Sequence, residues 1–139
     1  IFTPQRGADN VECLNGDERR RVVETLLQLR HDETKLDMPE GMIKEFLSPP
    51  ASPEHCIFAQ TTRTLSADFT TRVEPCQFGG DPDCSRCGCM ASMGLAAVGN
   101  KKLVGSLTAG DIFWTSNAIG RYVQRGENRL RQLVKRTGD

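Results

Sequence analysis

Cys76-Gln77-Phe78-Gly79-Gly80-Asp81-Pro82-Asp83-Cys84-Ser85-Arg86-Cys87-Gly88-Cys89 sets four thiols within fourteen residues, among glycine, proline and aspartate. A fifth thiol, Cys56, lies twenty positions upstream of Cys76. A tightly turned loop of this composition cannot bury an ordinary apolar core, so something else has to hold its shape. Thiolates crowded on irregular backbone suit a soft metal or an iron–sulfur cluster. The expectation is a bound metallocentre drawing its ligands from Cys56, Cys76, Cys84, Cys87 and Cys89.

Working outward, the segment from Ile57 to Pro75 is rich in threonine (Thr61, Thr62, Thr64, Thr70 and Thr71), with Phe58, Leu65, Phe69 and Val73 among them. These residue types suit strands, and Ser66-Ala67-Asp68 suits a turn, so the segment reads as a β-hairpin. Such a hairpin brings Cys56 and Cys76 to one open end, within a residue or two of register. Downstream, Met90 to Val98 reads as a short helix of small residues stopped by Gly99-Asn100. Its N-terminus, with free N–H groups and the positive dipole end, faces the thiol loop and favours an anionic group there. Thr108 and Asp111 form a capping-box pattern opening a helix with Ile112, Phe113, Ile119, Tyr122 and Val123. A final, basic segment carries Leu130, Leu133 and Val134.

On the N-terminal side, Ile1 to Gln5 is consistent with the end of a strand. Asn15 and Glu18 form a capping box, and Val22, Val23, Leu26 and Leu27 recur at helical spacing beyond it. The pattern predicts an amphipathic helix from Asp17 to His31. Pro39 suits the first turn of a second helix carrying Met42, Ile43, Phe46 and Leu47. Ser48-Pro49-Pro50-Ala51-Ser52-Pro53 ends it as a stiff linker and is the best boundary in the chain. The fold class is therefore α+β: amphipathic N-terminal helices, a β-hairpin and a cysteine-rich metal-binding loop, then C-terminal helices. The division falls into a helical segment, 1–50, and a cysteine-bearing unit, 51–139.

The 139 residues suffice for one domain of common size or part of a larger protein. Hydrophobic residues make up 37%, below the usual share, so the core is thin and a metal site would add stability. Eighteen basic and eighteen acidic side chains give a net charge of zero, and neither nucleic acid nor membrane is an expected partner. Between Arg121 and Asp139, six Lys or Arg face two acids, but without interleaved aromatics this reads as a solvated face. No apolar run spans a membrane and no signal peptide opens the chain. Beginning at Ile1, it reads as a processed product or a fragment. Six cysteines could form three disulfides, but a bridge between Cys87 and Cys89 would be strained. Metal-bound thiolates in a reducing cytoplasm fit better.

Zinc also takes four thiolates, so it stands as the alternative to an iron–sulfur centre. Zinc folds of this kind usually pair two Cys-x2-Cys knuckles, whereas only Cys84 and Cys87 form one here, and five clustered cysteines exceed zinc's four. Cys13 reads as a small structural residue, His55 as solvent-facing and His31 as a helix-end cation. Arg86 either offsets cluster charge or is solvated. Met90 and Met93 are spaced as core. No Ser/His/Asp set, phosphate-binding loop or carboxylate pair is evident, so no catalytic residue is assigned.

Cys56, an intervening hairpin, Val73-Glu74-Pro75-Cys76 and the short cysteine-rich loop resemble the SPASM/twitch auxiliary-cluster extension of radical S-adenosylmethionine enzymes. The resemblance covers roughly Cys56 to Val98. Thr3-Pro4-Gln5 and the first helix are similar, less specifically, to the closing strand and helix of that superfamily's partial barrel. The resemblance implies one [4Fe–4S] cluster, as in the shorter twitch form, serving electron transfer or substrate positioning. It further implies a parent oxidoreductase or transferase, a radical-generating barrel domain as partner, and a peptide or small-molecule substrate. The superfamily's Cys-x3-Cys-x2-Cys motif is absent, so S-adenosylmethionine would be bound only in an intact parent enzyme. The alternative is a zinc-stabilised interaction module using the basic C-terminal helix.

Overall fold

The computed structural model describes residues 3–8, 13–32 and 36–137. Helix α1 (Gly16–Asp32) begins where the capping box places it. The Asn15 side chain accepts from the Glu18 backbone N–H at 2.9 Å, and the Glu18 carboxylate accepts from the Asn15 N–H at 2.9 Å. Its buried side chain is Val23. Helix α2 (Glu40–Glu45) starts after Pro39 and buries Ile43. The proline-rich segment then leads into a single 3-10 turn, Pro53–His55.

The hairpin is shorter than its threonines suggest. Residues Ile57–Thr61 form a helix, α3, instead of a strand. The hydroxyls of Thr61, the last helical residue, and of Thr62, the extended residue that caps it, donate back to the carbonyls of Ile57 and Phe58 at 2.7 and 2.6 Å, so these β-branched residues are accommodated at the end of the helix. Ala59 is buried, and the packing of α3 on α4 outweighs β propensity. Only β1 (Thr64–Leu65) and β2 (Arg72–Val73) pair, with Thr64 opposite Val73. The turn between them falls where expected. The Asp68 carboxylate accepts from the N–H groups of Thr70 and Thr71 at 2.9 and 2.8 Å.

After the cysteine loop, α4 (Met90–Gly99) runs to Asn100, as predicted. A small hairpin follows that the sequence reading omits: β3 (Lys102–Val104) and β4 (Leu107–Thr108), joined through Gly105 at φ +58°. Asp111 and Thr108 close the second capping box: the Thr108 N–H reaches the carboxylate at 2.8 Å and the Asp111 N–H reaches the hydroxyl at 3.2 Å. Beyond it, α5 (Ala109–Thr137) is one continuous helix that takes in the basic final segment. At the N-terminus, Ile1 and Phe2 lie outside the described residues, and Thr3 to Gln5 form no strand. A lone antiparallel bridge joins Gln5 to Pro82.

Helices α2 and α3 pack on α4, with α1 on α2 and the first half of α5 on α3 and α4. Ile43 and Met93 are fully enclosed between them. The meeting point of α3, α4 and α5 is glycine-built: a Cβ on Gly110 would sit 3.1 Å from the Gly99 carbonyl oxygen, tighter than ordinary contact. Among the described residues this is a mixed fold of helices and small antiparallel strand pairs, α+β as the pattern implies. The helical 1–50 region packs onto the cysteine-bearing region through α2 and α4.

Candidate metal centre

Five thiols from separate stretches of chain line one small cavity: Cys56, Cys76, Cys84, Cys87 and Cys89. Cys56 is placed by the 3-10 turn ahead of α3, for which it is the N-terminal flanking residue. Cys76 follows β2 and the Glu74–Pro75 peptide, which is cis. Cys84 opens a single 3-10 turn (Cys84–Arg86), and Cys87 closes it by donating its N–H to the Cys84 carbonyl at 3.0 Å. Cys89 immediately precedes α4. Cys84, Cys87 and Cys89 are buried with 5%, 6% and 3% exposure, Cys56 is also buried, and Cys76 is half-buried.

Cys56 and Cys76 meet by a route other than the expected strand register. With Thr64 opposite Val73, extending the ladder would put Cys76 beside the α3 segment, not beside Cys56. Helix α3 rises about 1.5 Å per residue, less than half the rise of a strand, and so shortens the path back to the cavity. Cys13 lies apart, lining a different cleft with Leu14 and Arg19. All six cysteines are free thiols.

The sulfurs are surrounded by hydrogen-bond donors and polar groups. The Ser92 hydroxyl lies 3.1 Å from the Cys56 sulfur, and the Thr3 hydroxyl lies 3.2 Å from that of Cys87. The Gln77 side chain donates to Cys89 Sγ at 3.0 Å. Backbone N–H groups of Phe78 and Gly79 point to Cys76, and those of Ser92 and Ala91 to Cys89. The α4 N-terminus thus serves one thiol directly. Burial nevertheless raises the Cys76 and Cys89 thiols above their ordinary value. It pushes Cys84 up to about 11, helped by Cys87, Cys76 and Cys56 close by. Buried thiols so close together hold charge poorly unless a cation joins them.

Thr3, Gln77 and Ser92 attend the thiols without any signal in the sequence pattern. Nothing in the sequence ties Thr3 to Cys87, eighty-four positions away. A strap of backbone pairing does: Arg6 N–H reaches the Asp81 carbonyl at 2.8 Å and Asp83 N–H reaches the Pro4 carbonyl at 2.7 Å. Gln5 completes it, accepting from the Asp81 N–H at 2.7 Å beside Gly80, whose φ of +61° suits glycine. His55 is exposed and 2.9 Å from the Ser52 hydroxyl, and His31 is exposed beside Asp32, so neither reaches the thiols. Arg86 is half-buried and borders the cleft that holds Cys13.

Among the described residues, no group of three or more Cys, His, Asp or Glu side chains is placed to hold a metal ion. The donor set itself, sulfur ligands with N–H and O–H groups aimed at them, is chemically suited to a thiolate-bound metal or cluster. Fold and site together define a small α+β protein built round a buried cysteine cluster. No protein-family model, curated protein or solved structure matches the chain. Among the described residues, no helix is long and apolar enough to cross a membrane.

Proposed function

We propose that this chain holds one [4Fe–4S] cluster and forms the C-terminal region of a radical S-adenosylmethionine enzyme, where the cluster serves electron transfer or substrate positioning. The observation that carries this reading is the convergence of Cys56, Cys76, Cys84, Cys87 and Cys89 on one buried cavity. Cys13, the one cysteine outside the sequence cluster, lies elsewhere. Ser92, Thr3 and Gln77 would stabilise thiolate sulfur, while Phe58 and Phe78 line the same cavity and limit water. When bound, such a cluster supplies one-electron chemistry at a potential set by burial, hydrogen bonds and charge.

The resemblance of the Cys56–Val98 region to a twitch-type extension supports the assignment to that superfamily. It also points to a radical-generating barrel as the partner, while metal-bound thiolates fit a reducing cytoplasm. A second reading, a zinc-stabilised interaction module, draws support from α5, whose exposed residues 125–133 offer a contact surface. Anaerobic reconstitution with iron and sulfide separates the two. The cluster reading expects a brown protein with broad absorption and a paramagnetic signal on reduction. A colourless protein that keeps zinc instead would replace it with the second reading.

A further inference from the structure

The segment Arg86-Cys87-Gly88-Cys89-Met90 is a partition. Cys87 and Cys89 turn to the thiol cavity, while Arg86, Gly88 and Met90 border a separate cleft of about 400 Å³ on the other side. No residue lines both. The cleft walls are mostly apolar: Val22, Val23 and Leu26 from α1, Phe46 after α2, and Met90. Its size and lining match those of small-molecule sites, which usually add a few placed polar groups.

Arg19 supplies one. It is half-buried and lines the cleft, and its Nη1 donates to the carbonyls of Phe46 at 3.2 Å and Cys87 at 3.0 Å. These two bonds fix the guanidinium against the partition. Carbonyl oxygens do not neutralise it, and no carboxylate pairs with Arg19 among the described residues. A guanidinium has five N–H donors, so a fork remains for an anion of carboxylate geometry.

We propose that this cleft binds an apolar acid, a hydrocarbon or aromatic body bearing one carboxylate, with the carboxylate on Arg19 and the body against Val22, Leu26 and Phe46. The ligand then lies one backbone layer from the thiols. Because the cavities share no wall residue, the inference does not rest on what the thiols bind.

Calorimetric titration of the full chain with octanoate tests it, with octanamide as the neutral isostere. Octanoate is expected to bind saturably, and octanamide about tenfold or more weakly, the difference made by a charge-assisted hydrogen bond. Val22→Glu places a carboxylate one turn from Arg19 at a position that is 43% exposed. It is expected to weaken octanoate binding by about tenfold or more while leaving the melting profile in place. Absence of saturable octanoate binding, or equal affinity for octanamide, would overturn the proposal. So would a folded Val22→Glu protein that binds as before. The comparison of the two ligands on the unaltered chain decides the matter even if that variant does not fold. Iron content plays no part in the readout, so failure here leaves the cluster reading standing, and the reverse holds.

Discussion

At the scale of single residues, the five clustered thiols are not equivalent. Cys84 is buried, opens the 3-10 turn and has Cys87, Cys76 and Cys56 as its electrostatic neighbours. Cys84→Ala should therefore abolish or sharply reduce iron incorporation and loosen the Pro75–Met90 loop. Cys13→Ala should leave both largely unchanged, since Cys13 borders another cleft. Equal iron in the two variants, measured after identical reconstitution, would contradict the ligand assignment. Thr3 acts through Cys87 and is a positioning residue. Thr3→Val keeps the shape but removes the hydroxyl 3.2 Å from sulfur. A donor at sulfur stabilises the reduced, more negative centre, so the midpoint potential should become more negative at unchanged iron content. An unchanged potential would remove Thr3 from the account. The thiol cluster was legible because spacing alone gathers Cys76 to Cys89. The groups that attend it were not, because Thr3 reaches Cys87 only through the strap of residues 4–6 on 81–83.

At the scale of elements, local chemistry proved readable wherever it is self-contained. Both capping boxes, Asn15/Glu18 and Thr108/Asp111, form as their spacing indicates. So does the Asp68 turn, which needs only its neighbours. Where packing competes with propensity, the pattern misled: Ile57 to Thr61 is helical because α3 packs on α4, and Thr61 and Thr62 satisfy their hydroxyls on the preceding turn. The β3–β4 hairpin was signalled by Gly105 between Val104 and Leu107 but hidden by its brevity. The Asp68 turn also carries a pH signature. Hydrogen bonds from Ser66, Thr71 and the Thr70 N–H hold this carboxyl far below its ordinary value of 3.8. With the folded value depressed, the turn's stabilisation is complete above 3.8 and is lost as pH falls further. Amide protection at Thr70 and Thr71 should accordingly fall on acidification below that point. In Asp68→Asn this pH dependence should be absent. Identical acid profiles in the two proteins would contradict the turn's dependence on the carboxylate.

At the scale of the whole molecule, the fold is economical. Ile43, Met93 and Val23 are the main enclosed apolar side chains, and buried thiols take up part of the interior that hydrocarbon would otherwise fill. A metallocentre would tie together the N-terminal strap, Cys56 ahead of α3 and the 76–89 loop, which is how small domains offset a thin core. Helix α5 divides into two halves. Up to Gln124 it is held to α3 and the residues just after it, with Arg121 donating to Gln60 and Arg63 donating to Gln124. From 125 to 133 every residue is exposed. Truncation after Gln124 should therefore leave the melting profile of the body and its iron content near those of the full chain. A collapse of either would show that the projecting half supports the fold.

The central claim is that four of the five converging thiols hold one [4Fe–4S] cluster. Its most direct test is the content of iron, zinc and acid-labile sulfide after anaerobic reconstitution and desalting. About four irons and four sulfides per chain are predicted. About one zinc per chain with no sulfide would contradict the claim and make this a structural metal module.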